Sequence, residues 1–478
     1  MTVARGDASS RPVLPLPGLV AFGMPGLCIG ALAVALSVYL PRYYASHFGM
    51  GLLFVGLAFG AVRLFDTLLD PLIGIAIDRT RTRFGRYRVW LAAGAPMLMI
   101  PVYMLFIAPT SVNYVYLVGW LFAYYIGVSF IVLSHLSWAS VIAPGYHERS
   151  RMFGVIQVIG ILGATAVLVL PVMMARRNGS SGAGDVPAMG WFVIAAIAFG
   201  VALAIAFTPE RRPADRSEER VTLIDYWRMI SRPDMARIII ADFCLALGPG
   251  WTSAMYLFYF HDARGFTVAD ASKLLLIYII AGVAGAGGMS WVARRLGKHR
   301  TQMCACTTFS LGMFLLYFLP KADFPLATLY MAVMGFVAAA FVLLDRAMVA
   351  DVGDAVRLEQ GAHRIGLLYA MITTTQKVAG ALSITLSFTV LDLIGYKAKE
   401  GAINTPSAIH GMELVYLIAP VVFVMLGGAC FIGYRLDSKR HAEIRAELER
   451  RDALIPEAAV LESLSGGQGV TTRMAEPT

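Results

Sequence analysis

Charged residues are scarce in this sequence. Asp, Glu, Lys and Arg make up 15% of its 478 residues, whereas hydrophobic residues make up 58%. Soluble domains carry about 25% charged residues, which cover their surface. The mean hydropathy of +0.67 points the same way. The composition therefore predicts an integral membrane protein and excludes an ordinary soluble one.

The sequence also lacks the motifs on which many enzymes depend. It contains no P-loop, no HExxH zinc motif and no GxSxG elbow. Its five cysteines lie in apolar segments without the repeated pairs or histidines of a zinc site, which is typical of small buried side chains. We therefore predict that the protein is neither an enzyme nor an ATP-driven pump, with no cofactor and no certain metal site.

The formal charge of +9 does not indicate nucleic-acid binding. The basic residues form short runs between apolar segments, where the excess of Lys and Arg in cytoplasmic loops already accounts for them. Membrane lipid, rather than nucleic acid, is therefore the expected partner of these residues. Residues 1–17 are polar and contain prolines, so they predict a cytoplasmic N-terminus and not a cleavable signal peptide.

Apolar segments close to the twenty residues that span a bilayer recur about twelve times. An even number of spans places both termini on one side, and the arginine-rich turns place that side in the cytoplasm, at the plasma (inner) membrane. The predicted spans are residues 18–40, 52–77, 90–108, 114–142, 153–174, 189–208, 237–260, 268–293, 302–320, 325–349, 366–394 and 411–434.

A long polar insert divides the spans into two halves. We predict an N-terminal six-helix bundle at 18–208, a cytoplasmic linker at 209–236, a C-terminal bundle at 237–434 and a cytoplasmic tail at 435–478. Arginine-rich turns with glycine follow the second span of each half. This faint repeat is typical of transporters built from two related bundles around a central cavity.

The second span carries three charges that do not belong in lipid. Arg63, Asp66 and Asp70 fall within about 60° of one another on a helix, so they share one face. Charged residues inside a membrane face a bundle interior or a watery cavity and are functional candidates. A structural ion pair between Arg63 and one aspartate is the alternative, but it leaves one acid over.

The run DPLIGIAIDRTRTRFGRYRVW, which begins at Asp70, closely resembles the signature of the glycoside, pentoside and hexuronide cation symporters. This branch of the major facilitator superfamily is typified by melibiose permease. The segments AFG at 21–23, MVADVGD at 348–354 and TTTQK ending at Lys377 resemble further family positions. The resemblance implies an all-α membrane protein with twelve transmembrane helices in two six-helix bundles, transporting by alternating access.

The resemblance also assigns roles to individual residues. Asp66 and Asp70 match the carboxylates that hold the coupling cation, and Lys377 matches the basic residue facing them, with Arg63 as their neighbour. Lys377 lies in an apolar span and needs an acidic partner from another helix; the alternative is a lysine that reaches the membrane surface. Arg149, Arg151, Asp351 and Asp354 match cytoplasmic charges that close a gate in the family, and the alternative for them is a solvated loop. The other predicted gating residues are Arg79, Arg83 and Arg86 of the arginine-rich turn.

The positions that bind sugar in the family have changed. Ser134 stands where the family has an aspartate, and Val342 where it has an aromatic ring that could stack on a sugar. These departures predict that galactosides such as melibiose are poor ligands. His135 is either a substrate or proton-relay residue or a partner in an interhelical hydrogen bond. The predicted substrate-binding residues are Met24, Ser134, His135, Trp138, Gln157 and Gln376, and lesser candidates for the cavity lining include Tyr124 and Tyr125.

The sequence thus predicts a cation-coupled symporter of a small organic solute resembling sugars or glycosides. Alternatives are a transporter of a more apolar or amphiphilic solute, and a non-transporting assembly factor or sensor with the same fold. The coupling ion is H⁺ or Na⁺. We favour H⁺, because a sodium site needs several converging oxygens, whereas a proton needs only a carboxylate such as Asp70, coupled to Asp66.

Overall fold

The computed structural model describes residues 14–107, 111–143, 146–178, 185–210, 223–360 and 365–451, and their regular secondary structure is entirely helical. Ten helices in this part of the chain are long and apolar enough to cross a membrane. Two further helices, α9 and α11, are long enough and occupy the places of the predicted ninth and eleventh spans. The helices are α1 Leu16–Ser46, α2 Leu52–Arg79, α3 Tyr87–Phe106, α4 Tyr114–Ile142, α5 Tyr146–Asn178, α6 Asp185–Phe207, α7 Pro233–Ala263, α8 Val268–Leu296, α9 Lys298–Tyr317, α10 Phe324–Gln360, α11 Ile365–Leu393 and α12 Pro406–Ala429.

The alternating direction of these helices gives the molecule two faces. We call the face where α2 ends and α3 begins the terminal face, and the face where α1 ends the opposite face. A short helix, Leu223–Ile230, precedes α7 at the terminal face. Residues 438–451 form another helix, whose Ile444 and Leu448 are buried. The chain after the last span is therefore packed against the second half as far as Arg451.

The two halves repeat the same packing. Helix α1 packs on α5 and α6, as α7 packs on α11 and α12; α2 packs on α4, as α8 packs on α10; and α3 packs on α4 and α6, as α9 packs on α10 and α12. The halves meet through α2 with α11, α5 with α8 and α1 with α7. This repetition gives the faint sequence repeat a structural counterpart.

Helices α1 and α7, the first of each half, share a local distortion. Each contains a π-helical turn, Ala35–Tyr39 in α1 and Phe258–Ala263 in α7, close to the opposite face. A π turn inserts an extra residue and bends a helix. Helix α1 is also interrupted at Met24, because Pro25 has no backbone N–H to continue the hydrogen-bond ladder. Both distorted helices border the cavity described below.

Small residues bring helices of different halves into close contact. A Cβ atom on Gly60 of α2 would lie 1.8 Å from Oγ1 of Thr385 in α11. The Thr385 hydroxyl instead donates to the carbonyl oxygen of Gly56, at 2.9 Å. Close packing and interhelical hydrogen bonds hold membrane helices together, since lipid supplies no hydrophobic drive between them. Glycine in α2 therefore allows α2 and α11 to approach at the level of the site.

Candidate functional site

Two carboxylates, a hydroxyl and an ammonium group converge where α2, α4 and α11 meet. Nζ of Lys377 in α11 lies 2.8 Å from Oδ2 of Asp66 and also bonds Oδ2 of Asp70. Oγ of Ser129 in α4 lies 2.7 Å from Oδ1 of both aspartates. We call these four residues the coupling cluster. Its acids belong to the first half and its lysine to the second, so the cluster joins the halves.

The coupling cluster is reached from the terminal face. Helix α2 runs toward that face, and the exposed fraction of the side chain falls from 21% at Asp70 to 4% at Asp66, one turn deeper. Lys377 is also 21% exposed. An ion that enters from the terminal face therefore meets Asp70 and Lys377 before Asp66.

Arg63 is held by a tyrosine instead of an aspartate. Its Nη1 donates to the hydroxyl of Tyr125 at 3.4 Å, and its guanidinium lies 5.4 Å from the centre of the Tyr125 ring. Its Nε is buried without a hydrogen-bond partner among the described residues. The described residues therefore show no direct ion pair between Arg63 and an aspartate. Lys377 pairs with Asp66 and Asp70 instead.

A cavity of about 300 Å³ lies between the halves beside Arg63. Its wall is mostly aliphatic, with a few polar groups from five helices: Ser37, Arg63, Tyr124, Tyr125, Ser253 and Ser383. A small number of polar groups in an apolar wall is typical of a pocket that binds and orients a small molecule. Of these six, sequence reasoning singled out Arg63, with Tyr124 and Tyr125 as lesser candidates.

Three predicted substrate residues lie away from this cavity. Ser134, His135 and Trp138 are completely buried in helix packing. Nε2 of His135 lies 2.7 Å from the carbonyl oxygen of Phe22, and the Trp138 ring meets the Phe22 ring edge to face. The Ser134 hydroxyl donates to a carbonyl of its own helix. In this structure these side chains pack against α1 or bond within α4, so they do not form a surface that faces the cavity.

The remaining predicted substrate residues are also scattered. Met24 sits at the interruption of α1, and Gln157 is exposed on α5. Neither belongs to the wall of the central cavity. Gln376 is the neighbour of Lys377 but points to the other side, where its Nε2 donates to Oδ1 of Asp242 in α7, at 2.9 Å. None of the six predicted substrate residues therefore lines the central cavity.

The opposite face is closed by contacts between the halves. Nη2 of Arg42 in α1 lies 3.6 Å from Oδ1 of Asp262 in α7, and the Tyr396 hydroxyl bonds Oδ2 of the same aspartate. Burial, reinforced by the Asp262 charge, raises the pKa of Tyr396 well above its usual range, so the phenol remains a donor. The backbone N–H of Glu400 donates to the Ser46 carbonyl at 3.0 Å. We call Arg42, Asp262 and Tyr396 the outer cluster.

The arginine turn at the terminal face is anchored by Glu210. The Glu210 carboxylate accepts hydrogen bonds from the backbone N–H groups of Arg86, Tyr87 and Arg88 at the start of α3. A carboxylate at this position satisfies unpaired donors and the positive end of the helix dipole. Gly85 has φ +110°, and a Cβ there would lie 1.9 Å from Oε2 of Glu210. Glycine is required here by both backbone and space.

The predicted gating residues in this turn have different environments. Arg79 is exposed at the end of α2, and Arg83 is exposed with its guanidinium 5.0 Å from the Phe84 ring. Arg86 lies 4.0 Å from Asp78. All of these contacts stay within the first half, so the conformation seen here has no bond from them to the second half within the described residues.

The other predicted gating residues differ from the expected loop arrangement. Asp351 and Asp354 lie on α10, which continues to Gln360 beyond the predicted span. Nζ of Lys298 lies 2.6 Å from Asp351, and Nε2 of His441 lies 3.0 Å from Asp354. Both aspartates therefore pair within the second half, and the alternative of a solvated loop is wrong for them. Arg151 is exposed on α5, and the side chain of Arg149 lies outside the described residues.

Several residues of the site were missed from the sequence. Ser129 was not among the predicted residues, because a serine in an apolar helix can bond a carbonyl of its own helix and needs no further partner. Ser37, Ser253 and Ser383 looked like ordinary small residues of apolar helices. Their only signal was a hydroxyl on α1, α7 or α11, three of the helices that line the cavity.

Two halves with repeated packing, a cavity between them and buried charges at their interface define a multi-pass membrane transporter. Comparison with known proteins makes this specific: the chain belongs to the MFS/sugar transport protein family, whose pattern matches residues 21–438. It is 26% identical over 438 residues to the isoprimeverose transporter of Lactiplantibacillus pentosus, covering 87% of this chain and 88% of that protein.

Other relatives agree. The glucuronide carrier protein homolog of Escherichia coli strain K12 is 24% identical over 422 residues, covering 87% of this chain and 91% of that protein. The solved structure of the nucleoside transporter NupG shares the fold, with a TM-score of 0.64 at 14% identity, covering 88% of this chain and 98% of that one. The family resemblance, the all-α membrane fold and the transporter function are thereby confirmed, and an enzyme is excluded. These relatives do not favour a non-transporting assembly factor.

Proposed function

We propose that this transporter carries a glycoside-type solute together with a proton, and that the proton binds to the Asp66–Asp70 pair. The plasma (inner) membrane is the proposed location, with both termini cytoplasmic, so that the terminal face is the cytoplasmic one. The arginine excess in the turn from Arg79 to Arg88 supports this orientation. In this assignment, the structure is closed to the outside by the outer cluster.

The observation that carries the choice of ion is the position of Ser129. Its Oγ lies 2.7 Å from an oxygen of Asp66 and from an oxygen of Asp70. A hydroxyl has one hydrogen to donate, so it can donate to only one of two ionised carboxylates. Both contacts are hydrogen bonds when one carboxyl carries a proton and donates it to Ser129. This geometry supports a proton as the coupling ion.

A sodium ion is the other candidate, and the same cluster argues against it. Hard cations commonly take several oxygen ligands, combining carboxylates with neutral carbonyl or hydroxyl oxygens. Here, the only neutral oxygen that joins the two carboxylates is the Ser129 hydroxyl, within the described residues, and the nearby Thr67 donates to the Arg63 carbonyl of its own helix. A proton needs no such shell.

The proposed coupling follows from competition for the carboxylates. Arg63 and Lys377 balance Asp66 and Asp70 in formal charge, so a bound proton leaves one positive charge in excess. That excess weakens the attraction between Lys377 and the acids, and with it the link between α11 and α2. Release of this link allows the halves to rearrange, as alternating access requires. The solute binds in the neighbouring cavity, whose wall is formed by helices of both halves, so movement of the halves changes access to it.

The cavity supports a small solute with several hydroxyl groups. Serine and tyrosine hydroxyls of four helices face one another across about 300 Å³. Arg63 adds a donor whose Nε has no partner in the described part of the chain, so it can bind a solute hydroxyl or carboxylate. Isoprimeverose and glucuronides, named for the two relatives above, are therefore the first solutes to test, and more apolar glycosides are the second.

The test is counterflow in vesicles that contain the purified protein. Labelled isoprimeverose or a glucuronide should exchange against the unlabelled solute in the wild type, and Arg63→Gln should lower the exchange of the better solute. Ser290→Ala is the matched control, since Ser290 lines a different cavity near Lys298. No saturable exchange of any sugar, glycoside or uronate would contradict the proposal.

A further inference from the structure

Two more carboxylates are buried in the second half, away from the coupling cluster. Asp242 in α7 is 3% exposed and Asp345 in α10 is 1% exposed. They are close enough for the charge of Asp242 to act on Asp345. Among the described residues, neither has a basic side chain within ion-pair distance. A charge left unpaired in a membrane interior is costly, so an acid in such a place is a functional candidate.

The hydrogen-bonding capacity of the two acids is not used up. Oδ1 of Asp242 accepts from Gln376, but its Oδ2 is buried without a partner in the described chain, and so is Oδ1 of Asp345. A third buried side chain also has an oxygen that lacks a hydrogen-bond donor. Gln302 of α9 is completely buried, with Nε2 3.5 Å from the carbonyl of Phe341, one turn before Asp345, and with Oε1 unpartnered.

These three orphaned oxygens share one requirement. Carboxylate and amide oxygens accept hydrogen bonds. Where several buried acceptors have too few N–H or O–H donors, an additional donor is needed to satisfy them. A proton on one carboxyl supplies a donor and removes a buried charge in a single step. We propose that Asp242 and Asp345 together hold an exchangeable proton, forming a second proton-binding site distinct from Asp66 and Asp70.

The environment of the site explains how this proton can exchange. The groups that act on Asp242 are Gln376 and the exposed Arg346, which follows Asp345 on α10. Those coupled to Asp345 are Asp242, Cys306 of α9, Cys430 and Tyr434. Of the two acids only Asp242 is influenced by an exposed cation, so we assign proton entry to Asp242 and treat Asp345 as the interior member.

Helix α11 connects this site to the coupling cluster. Gln376 bonds Asp242, and the next residue, Lys377, bonds Asp66 and Asp70. Successive residues on a helix point about 100° apart, so a rotation or shift of α11 moves both bonds. Release of Lys377 from α2 therefore alters the hydrogen bond that Gln376 donates to Asp242. Proton binding in the second half is in this way linked to movement of the halves.

Infrared-detected titration tests the site without requiring transport. Above about pH 6 exposed carboxyls are ionised, so a protonated carboxyl band reports buried acids. The band should persist in the Asp66→Asn, Asp70→Asn double variant, decrease as the pH rises, and disappear when Asp242→Asn and Asp345→Asn are both added. Asp392→Asn, at an exposed helix end, is the matched control and should leave the band unchanged.

Two results would overturn the second site. One is loss of the whole band in the double variant, which would assign all protonated carboxyl to the coupling cluster. The other is a band that persists at every pH, which would show a fixed structural proton instead of an exchangeable one. Both results are read from the wild type and the Asp66→Asn, Asp70→Asn double variant, so the test remains decisive if the variants of Asp242 and Asp345 do not fold. This test does not depend on the coupling ion. The band of the second site is expected in the double variant even if Asp66 and Asp70 bind sodium instead of a proton.

Discussion

Lys377 and Asp66 are 311 residues apart in the sequence, yet Nζ of the lysine lies 2.8 Å from Oδ2 of the aspartate. The lysine belongs to α11 of the second half and the aspartate to α2 of the first. The same ammonium group also bonds Asp70. An ion pair at this place links the halves only while the acids are free to hold the lysine, and the coupling ion competes for them.

The first prediction concerns this pair. Lys377→Gln should lower concentrative uptake by more than about tenfold, because removing one partner of a buried ion pair costs several kcal/mol and each 1.4 kcal/mol is a factor of ten. Uptake of labelled solute in energised vesicles measures the loss. Lys273→Gln, which removes a more exposed pair with Asp270 within α8, should change uptake little. Equal effects of the two substitutions would argue against a special role for Lys377.

The second prediction separates the cavity from the packing between α1 and α4. Ser253→Ala should raise the KM for the solute, since a lost hydrogen bond to a bound ligand costs about 0.5 to 1.5 kcal/mol. His135→Leu should instead lower thermal stability, because the Phe22 carbonyl loses the imidazole that it contacts at 2.7 Å. Transport assays and thermal unfolding of both variants decide the point. A large rise in KM for His135→Leu with unchanged stability would restore His135 as a substrate residue.

The fold was readable from the sequence because long apolar runs and arginine-rich turns each reflect a strong physical constraint, namely the thickness of the bilayer and the cost of moving positive loops across it. The ends of the helices were less certain. Helix α10 continues as far as Gln360, where the sequence suggested an exit near residue 349, because helical packing outside the bilayer needs no apolar composition.

The coupling cluster was largely predictable for a different reason. Asp66, Asp70 and Lys377 are charged residues in apolar helices. An unpaired charge inside the membrane is unfavourable, so the pairing of the lysine with the two acids could be predicted on that ground. Small hydroxyls such as Ser129 and Ser383 have no such cost, because a serine in a helix can bond a carbonyl of its own helix. For His135 the structure shows the alternative that the sequence left open, an interhelical contact with a backbone carbonyl of α1.

The third prediction concerns closure of the opposite face. Asp262→Asn weakens the attraction to Arg42, which lies 3.6 Å away, and should make the opposite face open more often. A cysteine placed at Ser37 on the cavity wall should then react faster with a reagent added from that side. His410→Gln affects a pair with Glu413 at the same face but within α12, and should leave the reaction rate unchanged. A slower reaction in Asp262→Asn would contradict the role of the outer cluster.

The fourth prediction compares Gly85, inside the arginine turn, with Gly74 in the preceding helix α2. Gly85→Ala forces φ +110° on alanine and places its Cβ against Glu210, so the cap of α3 should be lost. We expect a destabilisation of about 1 to 3 kcal/mol. Gly74→Ala, with open space around the new methyl, should be neutral or slightly stabilising. Thermal unfolding of the two proteins in detergent compares them, and equal midpoints would show that Glu210 does not anchor the turn.

Uptake driven by imposed gradients tests proton coupling through Asp66 and Asp70 most directly. Vesicles holding the purified protein are given either a pH gradient or a sodium gradient, and accumulation of the solute found by counterflow is followed. We predict that accumulation follows the pH gradient, ignores sodium, and is lost in Asp70→Asn while exchange without a gradient remains. Accumulation that follows the sodium gradient and is indifferent to pH would contradict the account.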